Sequence, residues 1–110
     1  MSSAAARLPA QSSAAYAGAK AGVIAFSRHL ALEVAREGDR VNCIAPSAIE
    51  NDRMRGWLSA DCRQPLGEHF PLRRIGQLED VASAALFLAS RASSWITGVT
   101  PDLAGGQVMV

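Results

Sequence analysis

The feature that most constrains the fold is a long helical pattern that runs directly into a short strand pattern. Over about 14–37, apolar side chains recur at steps of three and four residues, at Val23, Phe26, Leu30 and Val34. Such spacing is typical of a helix that packs one face on a core, and Gly38 supplies the stop. Residues 40–45 then form a short, mainly apolar run that ends before Pro46, as a buried strand does. A helix followed at once by a strand predicts part of a βαβ unit, and hence a parallel sheet covered by helices.

The last third of the chain repeats this order of helix and strand. Glu79 and Asp80 form an acidic first turn, which predicts the start of a helix over about 78–90. The expected buried face of this helix consists of Val81, Ala85, Leu88 and Ala89. A second strand is expected near 99–103, where Pro101 lacks a backbone donor and therefore suits an edge. We expect this strand to lie beside the first one and parallel to it.

The stretch between these units, residues 52–70, is predicted to be a mobile flap. Its apolar side chains stand among polar neighbours, and Pro65 and Gly67 are expected to interrupt regular structure. Trp57 and Phe70 are large apolar side chains within it. They could serve the core, a contact between subunits or the wall of a substrate pocket, and the sequence leaves these alternatives open.

A phenol and an ammonium group stand four positions apart at Tyr16 and Lys20. On a helix, side chains with this spacing project from the same face. A nearby cation stabilises the phenolate form, so a tyrosine in this setting can exchange a proton near neutral pH. The alternative is an ordinary pair of surface residues, which is what a Tyr-x-x-x-Lys match without further context usually indicates.

The composition bounds the class of protein. A chain of 110 residues with 49% hydrophobic and 19% charged residues has room for one globular domain at most. The net charge is +1 and the basic residues are dispersed, so neither nucleic acid nor a membrane is expected as a partner. Cys43 and Cys62 lack the spacing of a metal site, and His29 and His69 stand alone, so no bound metal is expected. Reduced thiols and the lack of a signal-peptide pattern favour the cytoplasm.

Several short motifs give the Tyr16 and Lys20 pair a context that covers almost the whole chain. In chain order they are Ser2-Ser3, Tyr16 to Lys20, 41–46, 71–76, 87–90, 96–98 and Gly105-Gly106. In this order and at these spacings, the chain resembles the short-chain dehydrogenase/reductase family, and within it the 3-oxoacyl-carrier-protein reductase branch. The resemblance implies an α/β fold, namely the C-terminal half of a Rossmann-like doubly wound parallel sheet with two strands and flanking helices.

The glycine-rich strand-to-helix turn that receives a pyrophosphate is not found in residues 1–110. We therefore expect the N-terminal nucleotide-binding half to be absent and residues 1–110 to form a single incomplete domain. It would be a fragment, a truncated gene product or a chain separated from its other half. Because the usual neighbours of the helices would then be missing, we expect their apolar faces to be exposed.

The resemblance also implies which residues form the site. Tyr16 would transfer the proton, Lys20 would favour the phenolate and hold the nicotinamide ribose, and Ser3 would bind the substrate oxygen. These three residues are the predicted catalytic set, and Tyr16 and Lys20 also belong to the predicted cofactor site.

The remaining predicted cofactor residues, Pro46, Ser47, Ile49 and Asn51, lie in the loop after the first strand. The Ile49 backbone would hold the carboxamide of the nicotinamide. Asn51 stands where the family usually has threonine, Ser47 stands where it usually has glycine, and Ala104 replaces the usual Asp or Asn before the glycine pair. We expect the loop path and the end of the sheet to differ locally for these reasons.

The function implied by the resemblance is an NAD(P)-dependent oxidoreductase that moves a hydride between the cofactor and a small-molecule carbonyl or alcohol, such as a 3-oxoacyl group. The isolated chain is expected to be inactive because half of the cofactor site is missing, and the complete enzyme is expected to be a dimer or tetramer. The alternative is a non-catalytic remnant that acts only by associating through its helices with other subunits. Residues that would discriminate NAD from NADP are not found in the chain.

Overall fold

The computed structural model of the chain describes residues 1–10 and 12–110. The α-helices are α1 (Ala14–Val34), α2 (Asp52–Trp57), α3 (Ala60–Glu68) and α4 (Leu78–Ala89). The strands are β1 (Ala45–Pro46) and β2 (Asp102–Leu103), and single 3-10 turns occupy Ala4–Ala6, Ala35–Glu37 and Arg91–Ser93. We call the turn at Ala4–Ala6 the Ser3 turn, because Ser3 is its N-cap.

The two strands lie side by side and parallel, with Ala45 opposite Asp102. Backbone bonds extend the contact at both ends, from Cys43 N–H to the Val99 carbonyl (3.0 Å) and from Ser47 N–H to the Leu103 carbonyl (3.1 Å). On the other side of β1, the Ser2 N–H donates to the Ile44 carbonyl (2.7 Å), which holds the first residues against the start of this strand. The predicted parallel pairing is confirmed.

Both strands are shorter than the predicted ranges of 40–45 and 99–103, and the reason is local. Pro101 has no N–H to give to the ladder. The Val99 N–H donates to the side-chain oxygen of Asn42 (3.1 Å) instead of to a backbone carbonyl. A proline and a competing side-chain acceptor therefore limit the regular ladder to two residue pairs.

Helix α1 has the predicted start and stop. The Ser13 hydroxyl caps it by accepting the Tyr16 N–H (3.1 Å). At the other end the chain passes through one 3-10 turn to Gly38, whose φ of +84° is the left-handed conformation that ends helices.

The predicted buried face of α1 is wrong by one position. The fully buried residues are Ile24, Ser27 and Ala31. Phe26 is exposed, whereas Val23, Leu30 and Val34 are half-buried. The buried side of the helix includes Ala31, which packs beside Gly98: a Cβ added to this glycine would lie at ordinary contact distance, 3.6 Å, from the Ala31 Cβ.

The predicted flap is mostly helical, since α2 and α3 occupy residues 52–57 and 60–68. Pro65 and Gly67 lie inside α3 and do not interrupt it, so that prediction is wrong. A Cβ at Gly67 would come within 3.2 Å of the Arg74 Cα, which shows that the glycine allows α3 to pack against that backbone. Phe70 is a core residue with 5% of its surface exposed, whereas Trp57 is 73% exposed.

Helix α4 covers the predicted range, but its predicted buried face is wrong. Ala85 and Ala89 are exposed, Val81 and Leu88 are half-buried, and no residue of α4 is fully buried within the described structure. The large apolar side chains exposed on or near the helices include Phe26, Leu32, Leu86, Phe87 and Trp95. The expected exposure of apolar helix faces is thus confirmed.

Asp80 secures the start of α4. Its carboxylate accepts two bonds from the Arg74 guanidinium (2.6 and 2.9 Å) and one from the Gln77 N–H (2.7 Å). These hydrogen bonds lower the pKa of Asp80 from 3.8 to about 2, and those from Arg74 have the largest effect. The ion pair therefore links the segment before α4 to the first turn of that helix.

Because the folded-state pKa of Asp80 lies below the ordinary value, its contribution to stability is complete above about pH 4 and is lost as the pH falls towards 2. Asp80→Asn should remove this acid-dependent part and lower stability near neutral pH by about 1 kcal/mol or less, as expected for an exposed capping group. Thermal melts followed by circular dichroism between pH 2 and pH 7 measure both effects. Glu79→Gln, in the same helical turn, is the matched control, and an equal effect of both variants would contradict the assignment.

Candidate active site

Tyr16 and Lys20 lie on one face of α1, as their spacing predicts. The Lys20 Nζ stands 5.6 Å from the centre of the Tyr16 ring and also donates to the Met1 carbonyl (3.3 Å). Tyr16 is 45% exposed, so its hydroxyl is accessible to a ligand and not locked in the core. An exposed phenol with a cation held beside its ring suits proton exchange with a bound molecule.

The segment that carries Ser3 is tied to α1 at the level of Lys20. The Ser2 hydroxyl donates to the Lys20 carbonyl (2.7 Å), and the Ser3 turn packs against α1. Ser3 itself accepts the Ala5 N–H at its Oγ (3.2 Å). The fold thus brings the segment of Ser3 and the Tyr16 helix to the carboxyl edge of the sheet, where parallel α/β sheets bind their ligands.

Strand β1 ends at Pro46, and the loop that follows begins with Ser47 at the same edge. The Ser47 hydroxyl donates to the Gln107 side-chain oxygen (2.6 Å), which ties the loop to the C-terminal segment. Serine in place of the usual glycine is accommodated here, since Ser47 is not among the residues with positive φ.

Ile49 pairs with Gly76 through a parallel bridge. The bridge uses the neighbouring peptide groups: Gly76 N–H donates to the Ala48 carbonyl (3.0 Å) and Glu50 N–H to the Gly76 carbonyl (2.8 Å). Because peptide groups alternate in direction along an extended chain, those of Ile49 point away from Gly76. The backbone N–H and carbonyl of Ile49 therefore point to the side of the loop opposite Gly76.

Asn51 is the N-cap of α2. Its Oδ1 accepts the Met54 N–H (2.8 Å), so the cap uses one acceptor site of the side chain and leaves the amide nitrogen free of the cap. The contact expected from a threonine at this position would come from the amide group of Asn51.

Glu50 is a site residue that the sequence analysis missed. Its carboxylate accepts a bond from Gln77 (3.0 Å) and pairs with Arg55 (3.4 Å) and Arg63 (3.3 Å). The bond from Gln77, with the two arginines, lowers the pKa of Glu50 below its ordinary value. One carboxylate next to Ile49 therefore holds α2, α3 and the start of α4 together. The only sequence signal is an acidic residue followed by several arginines, which has no distinctive spacing.

A cavity of about 340 Å³ lies beside this loop. Its walls come from residues 47–49, from 102–106, and from Phe70, Leu72, Arg74, Gly76 and Asp80. Tyr16 and Lys20 do not line it, so the cavity is separate from the predicted proton-transfer pair. Among the described residues, no group of His, Cys, Asp or Glu could hold a metal ion, and no helix is long and apolar enough to cross a membrane.

Comparison with known proteins identifies the fold family. A family model described as enoyl-(acyl carrier protein) reductase matches residues 1–107. The chain is 48% identical over 92 residues to a 3-oxoacyl-acyl-carrier-protein reductase of Chlamydia muridarum, covering 84% of this chain and 37% of that protein. It is 40% identical over 93 residues to a 7alpha-hydroxysteroid dehydrogenase of Escherichia coli, covering 84% and 36%.

Solved structures that resemble this chain include further 3-oxoacyl-acyl-carrier-protein reductases. A 3-oxoacyl-acyl-carrier-protein reductase of Brucella melitensis superposes with a TM-score of 0.90 at 35% identity, covering 99% of this chain and 41% of that one. A second such reductase from Brucella melitensis, with bound NAD, gives a TM-score of 0.85 at 35% identity, covering 99% and 39%.

The chain belongs to the short-chain dehydrogenase/reductase family of oxidoreductases. It has the predicted α/β fold, a two-stranded parallel sheet with helices that matches part of the Rossmann-like relatives. The chain spans less than two fifths of the length of the curated relatives quoted above, 37% and 36%.

Proposed function

We propose that residues 1–110 supply the proton-transfer half of an NAD(P)-dependent oxidoreductase that interconverts a carbonyl and an alcohol. The observation that carries the proposal is the exposed Tyr16 with Lys20 on the same helix face, beside the segment of Ser3. The Ser3 hydroxyl would bind the substrate oxygen and orient it towards Tyr16. Tyr16 would then give a proton to that oxygen in reduction, or accept it in oxidation, with Lys20 stabilising the phenolate.

The residues after β1 fit the nicotinamide end of the cofactor. The outward peptide groups of Ile49 offer the donor and acceptor that a carboxamide needs, and Asn51 keeps its amide nitrogen free from the cap. Pro46 and Ser47 would form the wall of this site, and Lys20 would bind the ribose. When bound, the cofactor supplies or accepts the hydride. The pyrophosphate has no glycine-rich turn in residues 1–110, so a second half-domain would have to bind it.

The substrate class is proposed from the relatives. The C. muridarum protein is named for 3-oxoacyl groups on acyl carrier protein, and the E. coli protein for hydroxysteroids. The higher identity to the former favours a 3-oxoacyl thioester. We also propose that the complete enzyme is a cytoplasmic homo-oligomer, because the exposed apolar helix faces require cover.

A chimera tests the proposal. The part of the C. muridarum reductase that precedes its matched segment is fused to residues 1–110, and NADPH and NADH oxidation are followed with a 3-oxoacyl thioester. We expect steady turnover with at least one of the two cofactors. A folded chimera that binds cofactor but does not turn over either this thioester or a ketosteroid would contradict the proposed function.

The second candidate function is association without catalysis. It is favoured by the exposed Phe26, Leu32, Leu86 and Phe87, which give the helices apolar faces open to other subunits. Sedimentation of the 110-residue chain with and without a full-length relative distinguishes the two candidates. Complex formation together with an inactive chimera would favour the association role.

A further inference from the structure

A partly buried ion pair joins the end of the Ser3 turn to β2. The Arg7 guanidinium donates from Nε to the Asp102 carboxylate (3.2 Å) and from Nη2 to the Thr100 carbonyl (3.2 Å). The two side chains are only 17% and 8% exposed, in contrast to the surface pairs of the chain. Partial burial reduces screening of the pair by salt, and removal of either partner would leave the other charge unpaired in a partly buried place.

Apolar packing connects the Ser3 turn to the C-terminal segment as well. Ala4, the first residue of the turn, forms one buried cluster with Ala104 and Val108. The turn is therefore held at its first residue by packing and at its C-cap, Arg7, by two hydrogen bonds. These contacts come from β2, from Thr100 shortly before it and from the residues after it.

The direction of the Ser3 hydroxyl depends on this turn. Ser3 Oγ accepts the Ala5 N–H from inside the turn, so the oxygen is fixed and its own hydrogen remains to be donated. The turn closes through the Arg7 N–H, which donates to the Ala4 carbonyl (2.9 Å). A displacement of Arg7 would break this closing bond, and we expect it to loosen the turn that orients the Ser3 oxygen.

We propose that Arg7, held by Asp102, is a positioning residue that fixes the Ser3 hydroxyl for the reaction. The inference rests on the proposed function, since it assigns Ser3 the substrate oxygen. Arg7 does not contact the substrate; it acts through the turn. The last strand thereby contributes to the site, although its own residues lie beyond the predicted catalytic set.

The test uses the chimera with Arg7→Met, Arg7→Lys, Asp102→Asn and the charge exchange Arg7→Asp with Asp102→Arg. Because small misplacements of a catalytic group cost up to about 10²-fold, Arg7→Met and Asp102→Asn should each lower kcat by about 10- to 100-fold. The KM for the cofactor should not change, since the loop after β1 is untouched. Arg7→Lys keeps the charge but loses the second hydrogen bond, so its kcat should lie between those of the parent chimera and of Arg7→Met. The charge exchange should recover part of the kcat that the single variants lose.

Arg73→Met is the matched control, because Arg73 forms an exposed ion pair with Glu68 and has no contact with the Ser3 turn. It should leave kcat unchanged. If Arg7→Met and Asp102→Asn behave like this control, the positioning role is wrong. If both instead raise the KM for the cofactor in proportion to the loss of kcat, the effect is a general disturbance of the fold and the inference is also wrong.

A second measurement separates this inference from the proposed function. Amide hydrogen exchange of Ala6 and Arg7 reports opening of the turn without any assay of turnover. Asp102→Asn should accelerate exchange at these two amides by about tenfold or more, and leave the middle of α1 unchanged. Unchanged exchange would overturn the inference even in an active chimera. An inactive chimera with accelerated exchange would contradict the proposed function and leave the coupling of Arg7 to the turn supported.

Discussion

Replacement of Tyr16 by Phe should lower kcat of the chimera by about 10²- to 10⁴-fold, which is the usual contribution of a positioned proton donor. The substitution removes one oxygen and keeps the ring. Since Tyr16 is 45% exposed, the variant should fold as the parent does. Turnover under saturating cofactor and substrate measures the effect, and the cofactor affinity should change little.

Lys20→Ala should also reduce kcat, because it removes the cation that lies 5.6 Å from the Tyr16 ring centre. Unlike Tyr16→Phe, it should raise the KM for the cofactor as well, since Lys20 is assigned to the ribose. A chimera in which Tyr16→Phe retains the parent kcat would remove Tyr16 from the mechanism, whatever the effect at Lys20.

The second large effect concerns cofactor binding by residues 1–110 without a fused partner. The nicotinamide end has candidate contacts at Ile49 and Asn51, but the pyrophosphate has neither a glycine-rich turn nor a helix N-terminus that follows one. Titration calorimetry should detect no tight binding of NADH or NADPH to the chain, and no cofactor-dependent turnover should occur. The chimera, titrated in the same buffer, is the control and should bind.

Micromolar binding by the 110-residue chain would show that it carries a complete cofactor site of another kind. That result would contradict the division of the site between two halves. It would leave the roles of Tyr16 and Lys20 to be tested separately by the turnover of their variants.

The sequence was sufficient to predict the bounds of α1 and α4 to within one turn. Helical spacing ending at Gly38 predicted α1 to its last turn, since a glycine in the left-handed conformation is a local requirement. The placement of Tyr16 and Lys20 on one face follows from helical geometry alone and was confirmed in the same way. These features depend on residues within one turn of each other.

Several of the errors involve contacts between separate elements of the fold. Phe26 has the apolar spacing of a core residue, but the buried side of α1 carries Ile24, Ser27 and Ala31 instead. The apolar face of α4 was recognised, but whether it is buried depends on neighbours outside the chain. Pro65 and Gly67 are breakers by propensity, yet packing of α3 against Arg74 overrides that preference.

The residues of the site divide in the same way, into those that the sequence predicts and those that only the folded chain brings together. Its local members follow from motif spacing, whereas Glu50 and the Arg7 and Asp102 pair emerge only when the chain is folded. Arg7 and Asp102 are 95 positions apart in the sequence, and nothing in either position predicts the contact. Neither residue belongs to the motifs that identified the family.

A crystal structure of the chimera with bound NADP or NAD tests the central claim most directly. The account predicts that the nicotinamide carboxamide forms hydrogen bonds of about 2.7–3.2 Å with the peptide groups of Ile49. It also predicts that the nicotinamide ribose contacts Lys20 and that the Tyr16 hydroxyl faces the reacting side of the ring. A nicotinamide bound away from Ile49, or a Tyr16 hydroxyl directed away from it, would contradict the assignment of this chain as the proton-transfer half of the enzyme.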